Sequence, residues 1–208
     1  MRTVLKKLRK NRGGFSLAET LIAILILLMV SAIVGGAIPT ASTVYKKTVD
    51  AANAQILLST TLTELRDELS TASNIAVDGT SITYRNGSGQ WKIVLVPKGT
   101  TITIGSGDDA TEKTVTPGIW LCRATAFDPK TGVATYPDIT DFDTAAGTRL
   151  LVSEKAANEN LAVSYTGITP IKEDNNVIRV TFNEITVGKT SDSNCLAYRD
   201  SFTVRMVA

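Results

Sequence analysis

An apolar segment close to the N-terminus constrains the fold of this sequence more than any other feature. Residues 15–38 (FSLAETLIAILILLMVSAIVGGAI) carry one charged side chain, Glu19, and contain an unbroken apolar run from Leu21 to Val30. As a helix rising about 1.5 Å per residue, the segment is roughly 36 Å long, which is enough to cross a hydrocarbon core of about 30 Å. Pro39 follows and either kinks a longer helix or ends this one. The sequence therefore predicts a membrane-spanning helix over 15–38.

The charge of the chain is distributed unevenly around this segment. Residues 1–14 contain six basic side chains and no acid: Arg2, Lys6, Lys7, Arg9, Lys10 and Arg12. The rest of the chain has the other 16 of the 22 basic residues, against 20 acidic ones. A basic tip followed by an apolar run is typical of the cytoplasmic flank of a membrane helix. A nucleic-acid-binding arm is the alternative, but the adjoining apolar run disfavours it, and no other dense basic cluster indicates a general nucleic-acid surface.

Three interpretations of the N-terminal region compete. A cleavable secretory signal needs small residues after the apolar run, and Gly35 and Ala37 satisfy this only loosely. A plain membrane anchor leaves the Glu19 carboxylate without a partner, which is costly near a membrane helix end. In the third interpretation, KNRGGFSLAETLIAILILL resembles the leader of type IV prepilins and pseudopilins. That leader is short and basic, ends in Gly, and is followed by Phe, a carboxylate at the fifth mature position and an apolar helix.

The resemblance assigns roles to three residues. Cleavage by a prepilin peptidase would follow Gly14, whose missing side chain leaves the backbone accessible, and Phe15 would become an N-methylated N-terminus. Glu19 would pair with the N-terminal amine of a neighbouring subunit. Because an unpaired buried charge costs several kcal/mol, this pairing would penalise wrong registers and make Glu19 an assembly-register residue. The implied partners are the peptidase, other pilin or pseudopilin subunits and the cytoplasmic membrane.

Residues 39–77 are predicted to continue the helix in amphipathic form, since 41–77 contain no Gly or Pro. Apolar residues spaced by three and four form one helical face: Leu58, Leu62, Leu65, Leu69, Ala72 and Ala76. Charged residues fall on the other faces and are interpreted as solvated: Glu64, Arg66, Asp67 and Glu68. We expect the apolar face to rest on a sheet.

Residues 78–208 are predicted to form a β-rich head. Thr-, Val- and Ile-rich runs alternate with Gly, Asp and Asn clusters, which is typical of strands and turns. The predicted strands cover 81–85, 90–97, 100–104, 118–126, 149–153, 161–166, 176–187 and 199–207. The first two read as a hairpin. One long N-terminal helix packed on a mainly antiparallel sheet gives an α+β, pilin-like fold.

Composition argues against catalysis. The chain has no histidine, so the commonest general base and zinc ligand are missing. No phosphate-binding glycine loop or SxxK pair is present, and we predict neither an enzyme nor a cofactor or metal. Two groups of loop aspartates leave calcium open as an alternative to simple solvation: Asp108 with Asp109, and Asp138 with Asp141 and Asp143.

The two cysteines, Cys122 and Cys195, are widely separated. Outside the cytoplasm such a pair is predicted to form a disulfide, closing a loop of roughly 70 residues and contributing up to about 4 kcal/mol. Two free buried thiols are the alternative. No CxxC motif indicates a redox or zinc site.

The resemblance predicts a structural subunit of a type IV pilus or of a secretion or competence pseudopilus. It would be a single-pass cytoplasmic membrane protein with an extracytoplasmic head, and then part of a filament. A large head, separated cysteines and a helix leading directly into the ITYR hairpin favour a minor subunit. The alternative is a membrane-anchored binding or adhesin protein that never assembles. Glu19 is the expected discriminator, because a lone anchor has no evident use for it.

Overall fold

The computed structural model describes residues 16–104, 111–142, 145–151, 161–173, 176–191 and 194–206. The chain divides into two compact units, Met1–Val49 and Asp50–Ala208. Helix α1 covers Leu17–Ser70 and contributes to both units. The described strands are β1 Ser73–Asp78, β2 Ser81–Asn86, β3 Gly89–Val96, β4 Thr101–Ile104, β5 Thr111–Thr114, β6 Gly118–Arg123, β7 Ala126–Phe127, β8 Ala134–Thr135, β9 Thr148–Leu150, β10 Leu161–Ser164, β11 Gly167–Glu173, β12 Asn176–Lys189 and β13 Cys195–Arg205. A 3₁₀ turn covers Ile139–Asp141.

The helix passes through Pro39 and does not end there. Proline has no N–H to donate to the carbonyl of Gly35, and its ring crowds that turn. Gly35 has open space around it, so the turn can adjust without a side-chain clash. Two threonine hydroxyls donate to backbone carbonyls here, Thr40 to Gly36 at 3.1 Å and Thr43 to Pro39 at 2.9 Å. Of the two sequence-based alternatives for Pro39, ending the helix is therefore wrong.

The predicted helix over 39–77 is too long by about two turns, because α1 ends at Ser70. The next residues form β1, which pairs antiparallel with β2 through Val77 and Ile82. Asn74 adopts a left-handed φ of 51° at the register shift in this strand, a conformation that Asn tolerates better than most residues. In β1, Ile75 and Val77 are half-buried and Ala76 is exposed. The burial of every second side chain is typical of a strand. The prediction that Ala76 belongs to the apolar face of the helix is therefore wrong.

The rest of the predicted apolar face is confirmed. Leu58, Leu65 and Leu69 are buried, and Leu62 packs partly buried against the same core. Ala72 is also buried, although it lies beyond the helix end. The face therefore seats residues 50–70 on the head, as predicted.

The first sheet has the strand order β1-β2-β3-β6-β9, and all of its pairings are antiparallel. The predicted hairpin is confirmed as β2 and β3, with Tyr84 opposite Trp91. Both faces of β6 are covered: Ile119 and Leu121 join the main core, while Trp120 and Cys122 join a smaller cluster with Phe142. The smaller cluster makes β6 the most buried strand of this sheet.

The second sheet is built on the long strand β12. Strand β13 pairs along one edge of β12, and β10 and β11 pair with successive parts of the other edge. Side chains from both sheets and α1 form one main core, in which the Tyr165 and Phe182 rings meet edge to face at 5.3 Å. The α+β prediction, with a helix packed on antiparallel sheets, is confirmed.

Candidate functional site

The first turn of α1 holds the one acidic residue of the apolar segment. The Ser16 backbone N–H donates to Glu19 Oε2 at 2.9 Å, and the Glu19 backbone N–H donates to Ser16 Oγ at 3.2 Å. These reciprocal bonds form a capping box, in which the carboxylate satisfies the Ser16 N–H at the start of the helix. The Glu19 N–H also donates to the Ser16 carbonyl at 3.0 Å, so the hydroxyl is a second acceptor for it. The helix dipole also favours a carboxylate in this turn. Glu19 therefore has an intrachain role that the sequence interpretation missed.

The signal for this cap was present in the sequence. Ser16-Leu17-Ala18-Glu19 has the S-x-x-E spacing of a capping box and directly precedes an apolar run. The expectation that a lone anchor would have no use for Glu19 is wrong, because a cap serves any helix that begins at this point.

The apolar segment that follows is exposed along its length. Residues 17–38 of the helix have no buried member, and Leu17 reaches 85% exposure. The most apolar stretch of α1 has a mean hydropathy of 2.9, and none of its residues is buried. By length and composition, this helix is therefore a candidate to cross a membrane. An apolar surface of this extent requires a bilayer or partner helices to cover it. Gly14 and Phe15, the predicted cleavage and methylation residues, lie outside the described residues.

Both cysteines are free thiols, so the predicted disulfide between them is not formed in this structure. Cys122 is fully buried on the outer face of β6, beside Trp120 and Phe142. Cys195 is exposed at the start of β13, where its Sγ donates to the Ala197 carbonyl at 3.0 Å. The two residues therefore lie in separate environments. Burial raises the pKa of the Cys122 thiol to about 11, an effect that nearby Lys92 partly offsets.

The acidic loops do not converge on a metal site in the part of the chain that the structure describes. No group of three or more Asp, Glu or Cys side chains lies close enough there to hold an ion. Asp138 precedes the 3₁₀ turn and lines a cavity of about 510 Å³ together with Lys92 and Tyr136. Asp141 ends that turn, and the remaining members of the predicted acidic groups, Asp108, Asp109 and Asp143, lie outside the described residues. Calcium binding thus stays an untested alternative.

The carboxylate of Glu68, which was predicted to be solvated, joins the helix to the first sheet. Glu68 Oε1 accepts hydrogen bonds from the Tyr84 hydroxyl at 2.7 Å and from Asn86 Nδ2 at 2.9 Å. The Tyr84 side chain is fully buried. Its pKa is raised by burial and then by the hydrogen bond to Glu68, because a phenolate there would be desolvated and would repel the carboxylate. Glu68 is therefore a structural residue of the head.

Comparison with known proteins identifies the N-terminal region. The family model for the prokaryotic N-terminal methylation motif matches residues 9–35, which confirms the type IV pilin and pseudopilin leader motif. This motif is typical of structural pilin-type proteins, which are processed by a prepilin peptidase and assemble with other subunits. No curated protein and no solved structure matches the chain.

Proposed function

We propose that this chain is a structural subunit of a type IV pilus or of a secretion or competence pseudopilus. In this proposal it is cleaved between Gly14 and Phe15, N-methylated at Phe15, and packed into a filament through its N-terminal helix. The observation that carries the proposal is the methylation motif at residues 9–35, which covers the start of α1, where every residue from 17 to 38 is exposed. Membrane lipid covers that surface before assembly, and neighbouring helices cover it afterwards.

The positions of the leader cations and of Glu19 explain the order of cleavage, membrane retention and assembly. Cleavage after Gly14 removes all six leader cations and leaves the apolar helix attached, so the product stays in the bilayer. The Glu19 carboxylate then meets the N-terminal amine of a neighbouring subunit in an apolar environment. A misregistered neighbour leaves that charge unpaired at a cost of several kcal/mol, which selects the correct stagger.

A membrane-anchored binding protein is the second candidate, and the capping box removes the argument against it. Since Ser16 already supplies Glu19 with a hydrogen-bond partner, the carboxylate does not by itself require a neighbouring subunit. The two candidates differ in whether the mature chain enters filaments. Recovery of the wild-type protein in sheared filaments supports the subunit, and its absence from every assembly supports the anchor.

Processing is tested by N-terminal sequencing of the membrane-bound protein. We expect the mature chain to begin at Phe15, and Gly14→Val to leave uncleaved precursor, because a branched side chain obstructs the extended backbone at the cut. Gly13→Ala is the matched control and should still be cleaved. A wild-type chain that begins at Met1, or beyond Ala37, would contradict the proposal.

We propose further that the subunit is a minor one. The helix does not lead directly into the ITYR strand as predicted, because β1 separates the two. The remaining support is the size of the head, with two sheets packed on one helix, and the wide separation of Cys122 and Cys195 in the sequence. Quantitative mass spectrometry of sheared filaments tests it: a minor subunit is present far below the most abundant pilin, whereas a major one dominates.

A further inference from the structure

A cavity of about 510 Å³ lies on the outer face of the first sheet, within the head. Its floor comes from β3 and β6, where Lys92 and Cys122 are opposite each other in the strand register. Its wall is formed by residues between Ala134 and Phe142, in the part of the chain that includes β8 and the 3₁₀ turn. The volume lies within the range of about 300–1,000 Å³ that is typical of small-molecule sites.

Two side chains of opposite charge line this cavity, Lys92 and Asp138. The Lys92 ammonium lies over the Tyr136 ring, 5.8 Å from its centroid, and the Tyr136 hydroxyl donates to the Trp91 carbonyl at 3.3 Å. Asp138 precedes the 3₁₀ turn, but its carboxylate does not cap that turn. In the part of the chain that the structure describes, neither group forms an ion pair, with the other or with any third residue. Both charges therefore remain available to a ligand.

The rest of the cavity offers an apolar surface from Val94, Ile139 and Phe142. These three residues belong to the smaller cluster, in which the Phe142 and Trp120 rings lie 5.5 Å apart. A simple anion bound to Lys92 would be repelled by Asp138, and a simple cation bound to Asp138 would be repelled by Lys92. A molecule that carries both charges and an apolar group complements all three parts of the lining.

We propose that this cavity binds a small zwitterion with an apolar side group, of the class of the apolar α-amino acids. The ligand carboxylate accepts from the Lys92 ammonium, and the ligand ammonium donates to the Asp138 carboxylate. Such bonds between charged groups are about twice as strong as neutral hydrogen bonds. The apolar group of the ligand packs against Phe142 and its neighbours. This activity goes beyond that of a filament subunit and does not depend on assembly.

The test is a titration of the mature protein in detergent micelles with L-leucine, followed by tryptophan fluorescence. Both tryptophans adjoin the cavity, since Trp120 contacts Phe142 and the Trp91 carbonyl accepts the Tyr136 hydroxyl. We expect a saturable change with L-leucine. Isocaproate is leucine without its amine, and isoamylamine is leucine without its carboxylate. Each should bind about tenfold more weakly, the effect of losing one hydrogen bond between charged groups.

Two variants assign each charge of the ligand to one side chain. Lys92→Gln should weaken leucine binding by about tenfold and leave isoamylamine unaffected, because that ligand has no carboxylate for Lys92. Asp138→Asn should weaken leucine binding similarly and leave isocaproate no weaker. Lys130→Gln is the matched control, since Lys130 is exposed and lies outside the cavity lining. It should bind leucine like wild type.

Several outcomes would overturn the proposal. Isocaproate that binds wild type as tightly as leucine would show an anion site, and isoamylamine that does so would show a cation site. A general structural effect would weaken all three ligands equally in Lys92→Gln, and that result would also contradict the assigned contacts. The absence of a saturable change with L-leucine, L-valine and L-phenylalanine would exclude the ligand class. Failure of the subunit proposal is distinguishable, because a chain that enters no filament would still give the expected titrations.

Discussion

Replacing Glu68 by alanine removes the acceptor that joins the helix to the first sheet. The Tyr84 hydroxyl, at 2.7 Å and fully buried, then has no carboxylate to bond. The Asn86 amide is half-buried, so water can replace its bond more easily. Stranding a buried donor costs about 1–3 kcal/mol, and bonds to charged acceptors lie at the upper end of that range. We therefore expect Glu68→Ala to lower the free energy of unfolding by about 2–3 kcal/mol, mostly through Tyr84.

The assay is urea denaturation of the mature protein in detergent, followed by tryptophan fluorescence. In a protein of this size each kcal/mol lowers Tm by about 2–4 °C, so a thermal scan should show a drop of roughly 4–12 °C. Tyr84→Phe removes the stranded donor, so a double-mutant cycle with Glu68→Ala should give a coupling of about 1–2 kcal/mol. Glu64→Ala, one turn earlier on the helix, is the matched control and should change stability by less than about 0.5 kcal/mol.

Two results would refute this reasoning. Additive effects of the Glu68 and Tyr84 substitutions would mean that the two groups do not act as a pair. A Glu68→Ala protein as stable as the Glu64→Ala control would mean that water replaces the carboxylate, as the sequence interpretation of a solvated face implies.

Three other predictions follow from buried groups in the head. Iodoacetamide should modify Cys195 in the native protein and Cys122 only after unfolding. A protein mass two units lower than that of the form with two free thiols, with neither thiol reactive, would instead indicate the disulfide. Gly188→Ala should destabilise by about 1–3 kcal/mol, because its Cβ would lie 2.8 Å from a backbone oxygen, whereas Gly167→Ala enters open space and should be nearly neutral in the same urea assay. Burial raises the pKa of Tyr165 above its usual value of 10, so the folded state keeps a proton that the unfolded state loses. The contribution of Tyr165 to stability should therefore be complete below about pH 10 and fall above it by up to about 1.4 kcal/mol per pH unit. Buried Tyr84 adds a similar loss, so Tyr165→Phe should reduce the total slope without abolishing it.

The parts of the fold that were predictable have strong periodic signals. Alternation over 81–97 identified the β2–β3 hairpin, and the three-and-four spacing from Leu58 to Leu69 identified the buried face of the helix. Each of these patterns has one dominant period that tertiary packing reinforces. Strand β1 was missed because Ala72 and Ala76 continued a helical spacing that the chain does not follow.

The other errors have different physical causes. Strand β11 contains Pro170, which argues against a strand from sequence alone. In the structure it pairs with β12 along one side, and among the described strands none pairs with its other side, so the missing N–H is tolerated. The Glu68 contact could not be predicted, because it joins residues 16 positions apart on different elements. The Cys122–Cys195 disulfide, which is not formed in this structure, stays a prediction for the alkylation and mass measurements to decide.

The two units of the chain differ in what covers their apolar surface, and this difference gives a last prediction. Every member of the main core lies at or after Ala54, and the smaller cluster begins later still. A fragment of residues 50–208 therefore retains the complete described core and should fold without detergent, with near-ultraviolet circular dichroism like that of the full mature chain. A fragment of residues 62–208 is the control, because it loses Ala54, Leu57 and Leu58. Losing each buried leucine costs about 2–5 kcal/mol, and most domains are not stable enough to lose two of them. This fragment should therefore be unfolded or aggregated. If the longer fragment also lacked a cooperative thermal transition, the head would depend on residues before 50, and the division into two units would be wrong.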